Sequence, residues 1–225
     1  MNGHWNVVNI LLGRDAAIEA RDSKFHATPL FFACLYGHNV VVSQLLQHGA
    51  NVDIKDYLRE TPLFVASMMG HVAVLDILLS TAKPCIDSLD YKRQTPLLIA
   101  AAGGHSGALQ ILIDHGSNIH VVDNTGATSL MNAALIGDTE SVALLIDNGS
   151  LLDCKDHDHG ATALILASMK GHVNVVSLLL NRGAQVDVKD SRQRTAKDWA
   201  IIENHKQVVA IFTITEAIMA DRFAV

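Results

Sequence analysis

A threonine-led tripeptide recurs along this chain at a nearly constant interval, and that interval limits the possible folds more than any other feature. It reads Thr28-Pro29-Leu30, Thr61-Pro62-Leu63, Thr95-Pro96-Leu97, Thr128-Ser129-Leu130 and Thr162-Ala163-Leu164, then degenerates to Thr195-Ala196-Lys197. Successive threonines stand 33, 34, 33, 34 and 33 residues apart. A period of this length means a stack of small units that bury their apolar faces against one another. Repeats are therefore the count that matters, and the length of 225 residues is secondary.

The unit from Asp22 to Lys55 shows the local logic. Thr28 is placed to cap a helix, its hydroxyl accepting from an orphan amide, and Pro29 follows at the first helical position, where a missing N–H has no consequence. Gly37 closes that helix, since glycine tolerates the left-handed conformation; Gly70, Gly104, Gly137 and Gly171 hold the same place. A second helix follows, with Val41, Val42, Leu45 and Leu46 on one face, matched by Val74, Leu75, Leu78 and Leu79 and by Val175, Val176, Leu179 and Leu180. Gly49, Gly116, Gly149 and Gly183 end the second helices. A short β-prone stretch such as Asn51 to Ile54 then leads into a turn opened by Asp56, Asp90, Asp123, Asp156 or Asp190.

No unit of this kind stands alone. Burying a leucine-sized side chain contributes about 1.5–3 kcal/mol, whereas ordering the backbone costs about 1–2 kcal/mol per residue. Four or five buried side chains cannot order some 33 residues, so stacking is compulsory. The small pairs Ala33-Cys34, Ala66-Ser67, Ala100-Ala101, Ala133-Ala134 and Ala167-Ser168 let adjacent helices approach closely.

The pattern D-x-x-x-x-T-P-L-x-x-A-A-x-x-G-H-x-x-V-V-x-x-L-L-x-x-G-A, repeated in register over essentially the whole chain, closely resembles the ankyrin repeat. The resemblance implies an all-α solenoid of stacked helix–turn–helix units with β-hairpin-like loops to one side, and a partner protein bound through loop tips and the concave face of the first helices. On this reading residues 1–225 form one repeat domain. Residues 1–21 are a partial repeat, 22–55, 56–89, 90–122, 123–155 and 156–189 are complete, and 190–225 hold a degenerate repeat and tail.

Departures from the pattern carry expectations of their own. The resemblance implies His after T-P-L, hydrogen-bonded within and between repeats, but this chain has Phe31, Phe64, Leu98, Met131 and Ile165 there, so that polar network is expected to be missing. The unit at 56–89 ends in Ser80-Thr81-Ala82-Lys83-Pro84 without glycine, and the tip opened by Asp156 carries an extra residue; both loops are expected to deviate. Gly3-His4 followed by Val7, Val8, Leu11 and Leu12 reads as a second helix with no first, which points to a piece of a longer chain. The apolar continuation from Ile214 to Met219 either folds back as a cap or once led onward.

Composition narrows the function. Hydrophobic residues make up 49% and charged residues 18%, enough for a continuous core. A net charge of -6 disfavours nucleic acid, whose affinity rests on clustered Lys and Arg. Cys34, Cys85 and Cys154 are far apart with no C-x-x-C pair, which fits reduced thiols in the cytosol or nucleus. No apolar run reaches the length of a membrane span and no signal peptide is visible at Met1, so direct membrane insertion is not expected. There is no G-x-x-x-x-G-K-[ST] loop, no H-E-x-x-H and no nucleophile with a nearby base; binding is expected, not catalysis, and no cofactor. Asp156-His157-Asp158-His159 has metal-like residue types but no enforced geometry, and no metal is assigned. The once-per-repeat histidines His38, His71, His105 and His172 read as structural caps of the helix junction. Phe223-Ala224-Val225 reads as an ordinary apolar tail.

Two sets of side chains are free of structural duty and become the candidate partner-binding residues. One is the pair before each helix-ending glycine, Leu35-Tyr36, Met68-Met69, Ala102-Gly103, Leu135-Ile136 and Met169-Lys170, a mostly apolar strip where a free surface is usually mixed. The other is the loop tips, where Phe25, Tyr57, Leu58, Arg59, Tyr91, Lys92 and Arg93 form an aromatic and basic edge rich in the residue types that dominate interfaces. That edge and the Leu35 to Met69 strip are expected to form one surface for a partly acidic, partly apolar segment of another protein. The rival is a substrate-recruiting or regulatory arm of a larger enzyme or channel.

Overall fold

A computed structural model describes residues 4–223, with side chains through residue 218. Gly3 of the opening half-repeat and Ala224 and Val225 of the tail lie outside the described residues. The chain forms two compact units, Met1–Asn124 and Thr125–Val225. The first contains α1 (Trp5–Leu12), α2 (Pro29–Leu35), α3 (Asn39–Gln47), α4 (Pro62–Met68), α5 (Val72–Thr81), α6 (Pro96–Gly103) and α7 (Ser106–Asp114). The second contains α8 (Ser129–Ile136), α9 (Thr139–Asp147), α10 (Ala163–Lys170), α11 (Val173–Asn181), α12 (Ala196–Ile202) and α13 (Lys206–Phe223). Within each unit the first helices of successive repeats pack side by side, α2 on α4 on α6 and α8 on α10 on α12, and the second helices form a parallel row behind them.

The caps explain why such short helices hold. Thr28, Thr61, Thr95, Thr128, Thr162 and Thr195 each accept a hydrogen bond from the backbone N–H three residues on, at 3.2–3.3 Å, and losing one such cap costs about 1 kcal/mol. Thr195 adds the reciprocal arm, its own N–H donating to Asp198 Oδ2. The residues that replace the family's histidine, Phe31, Phe64, Leu98, Met131 and Ile165, are all buried; at these positions the chain has apolar core where polar groups were implied.

A polar network between repeats exists nonetheless, at another position. His71 Nε2 donates to the carbonyl of Leu35 (3.1 Å), His105 to that of Met68 (3.0 Å), His172 to that of Leu135 (3.0 Å) and His205 to that of Met169 (3.0 Å). Of the histidines expected to cap the helix junction, His71, His105 and His172 make no side-chain capping hydrogen bond to their own helices. They are struts to the preceding repeat. The glycine two residues after each accepting carbonyl makes room for the ring: a Cβ on Gly70 would lie 2.7 Å from His105, and one on Gly171 2.6 Å from His205. Positive φ and close approach thus both exclude a side chain there.

Loop tips are built by the leading aspartate. Asp56 Oδ1 accepts from Leu58 N and Glu60 N, Asp90 Oδ1 from Lys92 N and Gln94 N, and Asp190 Oδ1 from Arg192 N and Arg194 N. One main-chain hydrogen bond ties each tip to the one before: Tyr57 N to Phe25 O, Tyr91 N to Leu58 O, and in the second unit Ser191 N to His159 O. One bond per tip is too few for a ladder, and no strand occurs among the described residues, so the β-hairpin-like loops are turns. The Asp156 tip is enlarged as expected, its aspartate N–H reaching the carbonyl of Ala161; the Asp22 tip has the same enlargement, with Asp22 N donating to Ala27 O.

The irregular unit ends as its sequence implies. Helix α5 runs one residue longer than α3, and Lys83 takes the left-handed conformation (φ 47°) near the place glycine holds elsewhere. At the other extreme α13 continues for 18 residues without folding back, and Lys197 pairs with Glu216 at 2.7 Å to hold it against α12. No helix among the described residues is long and apolar enough to cross a membrane.

Candidate functional site

In the first unit successive loop tips carry their aromatic side chains close together. Phe25 and Tyr57 rings stand 6.1 Å apart, Phe25 packs edge-on against Phe32 at 6.3 Å, and Lys24 lies 4.6 Å over the Phe25 ring. Tyr91 follows on the next tip with Lys92 5.4 Å from its ring. Tyr57 (56% exposed), Tyr91 (50%), Tyr36 (46%) and Met69 (46%) turn their side chains to solvent, whereas Phe25, Leu35, Leu58 and Met68 are half-buried. The half-buried members also serve the scaffold: Leu35 and Met68 give their carbonyls to the histidine struts, and Leu58 gives its carbonyl to Tyr91 N.

Arg59 and Arg93 sit at the most telling backbone positions of this edge. Both adopt left-handed φ, 65° and 62°, a conformation that costs a residue with a Cβ about 1–2 kcal/mol. Gly126 (φ 78°) and Gly160 (φ 63°) occupy the corresponding place on two tips of the second unit. The first unit therefore carries exposed arginines where glycine is the relaxed choice, and backbone strain of this kind gathers at functional sites. Beside Arg59, burial and then the carboxylates of Asp56 and Asp90 push the Glu60 carboxyl up to about 7, with Lys92 opposing.

The second unit brings together a different set. A pocket of about 390 Å³ is floored by Leu135, Ala161, Ile165, Leu166, Met169 and Trp199, and its rim carries Lys170, Arg192, Arg194, Asp156, Asp190 and His159. Of the expected residues, Leu135 and Met169 line it; Ile136 is exposed but does not. One wall is rigid. Trp199 Nε1 donates to Asp190 Oδ2 at 2.9 Å, Arg194 Nε and a terminal nitrogen donate to the same oxygen at 3.3 and 3.2 Å, and the guanidinium lies 3.7 Å over the indole. Burial alone would raise the Asp190 carboxyl, but donation from Arg194 N, Trp199 Nε1 and Arg192 N, with the Arg194 charge, holds it below its ordinary value.

Sequence reasoning missed this pocket because Asp190, Arg194 and Trp199 look like turn and helix residues of a failing repeat; the available signal was a tryptophan one turn from an Asp-led loop. The metal-like loop is tied into its own turn instead, with His159 N donating to Asp156 Oδ1 at 2.6 Å and His157 N to the Thr125 carbonyl. Cys34 is buried, with its thiol pushed up by desolvation, Cys85 is exposed and Cys154 half-buried, all three as free thiols.

Among known proteins the chain is similar over 56 residues to Palmitoyltransferase AKR1 of Lachancea kluyveri, at 34% identity. That match covers 25% of this chain and 8% of the relative, so the two share one short stretch of repeat. The model of the family described as ankyrin repeats (3 copies) matches residues 1–90, 80–156 and 130–218. With helix pairs, caps and tips recurring in the same register as those matches, the chain belongs to the ankyrin repeat family.

Proposed function

We propose that the chain is a non-catalytic binding module, a scaffold or adaptor, that grips a partly acidic, partly apolar segment of a partner protein along the first unit's edge. Ankyrin repeats indicate protein interaction; the finer reading rests on Arg59 and Arg93 held in left-handed backbone beside exposed Tyr57 and Tyr91. Tyrosine and arginine are enriched among the residues that carry interface energy, and Tyr36 and Met69 add exposed apolar area in the same unit. Free thiols at all three cysteines favour a reducing compartment, the cytosol or nucleus. The test is affinity capture from source cells with the wild-type chain and a Tyr57→Ala/Met68→Ala variant. The partner should be lost from the variant; equal recovery would refute the edge as the recognition surface.

A second reading, a substrate-recruiting arm of a larger enzyme, is favoured by the similarity to a stretch of Palmitoyltransferase AKR1. Reading the frame around these residues in the source transcript distinguishes the two, since an adjoining catalytic domain would support the second.

A further inference from the structure

The second unit offers a recognition site of its own chemistry. We propose that its pocket anchors one bulky apolar side chain, aromatic by preference, from an extended partner segment that carries a carboxylate within a residue or two of that anchor. The proposal rests on the reading of the chain as an interaction module but concerns the second unit and residues that lie within it.

Size and lining define the anchor. About 390 Å³ walled by Leu135, Ile165, Leu166, Met169 and Trp199 lies near the lower end of the range for small-molecule sites, which suits a single large side chain. Aromatic side chains give the greatest contact area for little conformational entropy, and methionine adapts its shape to them. The Trp199 wall cannot turn to meet a ligand's acceptor, since its N–H is already donated to Asp190. Its task is to present a fixed apolar surface, stiffened by the stacked guanidinium of Arg194.

Charge defines what stands beside the anchor. Asp190 and Arg194 neutralise each other, and Asp156, held in its own turn by the N–H of His159, leaves one negative charge at the rim. Lys170 and Arg192 are exposed at the rim, and neither side chain forms an ion pair among the described residues. In a chain of net charge -6, an apolar pocket whose rim sets Lys170 and Arg192 against the single carboxylate of Asp156 is complementary to an acidic segment, and rim charges of this kind govern selection between partners.

The experiment is a titration of the full 225-residue chain, followed by NMR through the indole N–H signals and the methionine methyls. The chain has two tryptophans, so Trp5 is an internal control for Trp199. Three probes are used: Gly-Ser-Asp-Phe-Asp-Ser-Gly, the same peptide with Ala for Phe, and the same peptide with Lys for both Asp. The Phe/Asp peptide should shift the Trp199 indole and Met169 methyl saturably, and the other two should bind at least about tenfold more weakly. A Lys170→Glu/Arg192→Glu variant, its fold verified by an unchanged Trp5 signal and amide spectrum, should lose about tenfold. Tyr57→Ala/Met68→Ala should leave the titration unchanged, so loss of the first unit's partner and loss of this site are separable. No movement of Trp199, equal binding of the Lys peptide, or binding indifferent to Lys170→Glu/Arg192→Glu would each overturn the proposal.

Discussion

The tips of the two units are built on the same aspartate-led turn and differ in what stands at its left-handed position. In the first unit that position holds His26, Arg59 and Arg93; in the second it holds Gly126 and Gly160 before Gln193. Glycine there relaxes the backbone, whereas arginine retains strain and adds a long cation to solvent. Glu60 compounds the contrast, a carboxyl raised to about 7 in the same tip as Arg59. The first unit thus carries conformational and electrostatic cost on its exposed edge. The second relaxes two tips and instead builds a pocket, using the Asp190–Arg194–Trp199 cluster. Stability and recognition are divided differently over one architecture.

Exchanging the residues tests that division most severely. Gly126→Arg imposes on the second unit what the first tolerates, but a Cβ at Gly126 would lie 2.6 Å from the His157 ring. The variant should lose about 2 kcal/mol in urea unfolding; an unaffected midpoint would show that the two tips are equivalent.

The next largest effect is electrostatic. Because the folded Glu60 carboxyl is raised from 4.5 to about 7, the folded chain retains a proton between those values that the unfolded chain has released. Stability therefore falls as pH rises through this window, and the penalty is full above about 7. Glu60→Gln should remove that slope and add about 1 kcal/mol at pH 8, a figure discounted because water reaches about half of the group. Thermal unfolding of both proteins from pH 4 to 8 provides the check, and parallel curves would contradict it.

The reverse exchange should be smaller and of opposite sign. Arg59→Gly relieves left-handed strain but adds freedom to the unfolded chain, so a net gain of about 0.5–1 kcal/mol is expected in urea unfolding. Smallest of all, Lys197→Ala removes the exposed pair with Glu216 at 2.7 Å and should cost at most about 0.5 kcal/mol. A loss of several kcal/mol would mean that α13 depends on that pair for its docking.

Much of this was legible in the chain because the signals are local and repeated. Each Thr-Pro-Leu yields a capped helix, and each run such as Val41, Val42, Leu45 buries the face its spacing implies. The histidine struts were not legible as such: each ring meets a carbonyl 36 or 37 residues back, one period plus three or four, and local spacing offers only a helix start. The left-handed arginines were hidden for a related reason. A tip reads as polar whichever backbone conformation it adopts, and only comparison with Gly126 and Gly160 reveals the cost. Of the candidate residues, Phe25 and Tyr57 meet on neighbouring tips, while Leu135 and Met169 join a pocket one wall of which comes from a repeat that looked degenerate.

The central claim is that Arg59 and Arg93 hold strained backbone for the sake of a partner. Quantitative affinity capture with an Arg59→Gly/Arg93→Gly chain tests it directly, because this variant should be more stable than the wild type and misfolding cannot explain a loss. The account predicts a higher unfolding midpoint together with loss of the captured partner. Full recovery of the partner by the stabilised variant would contradict it.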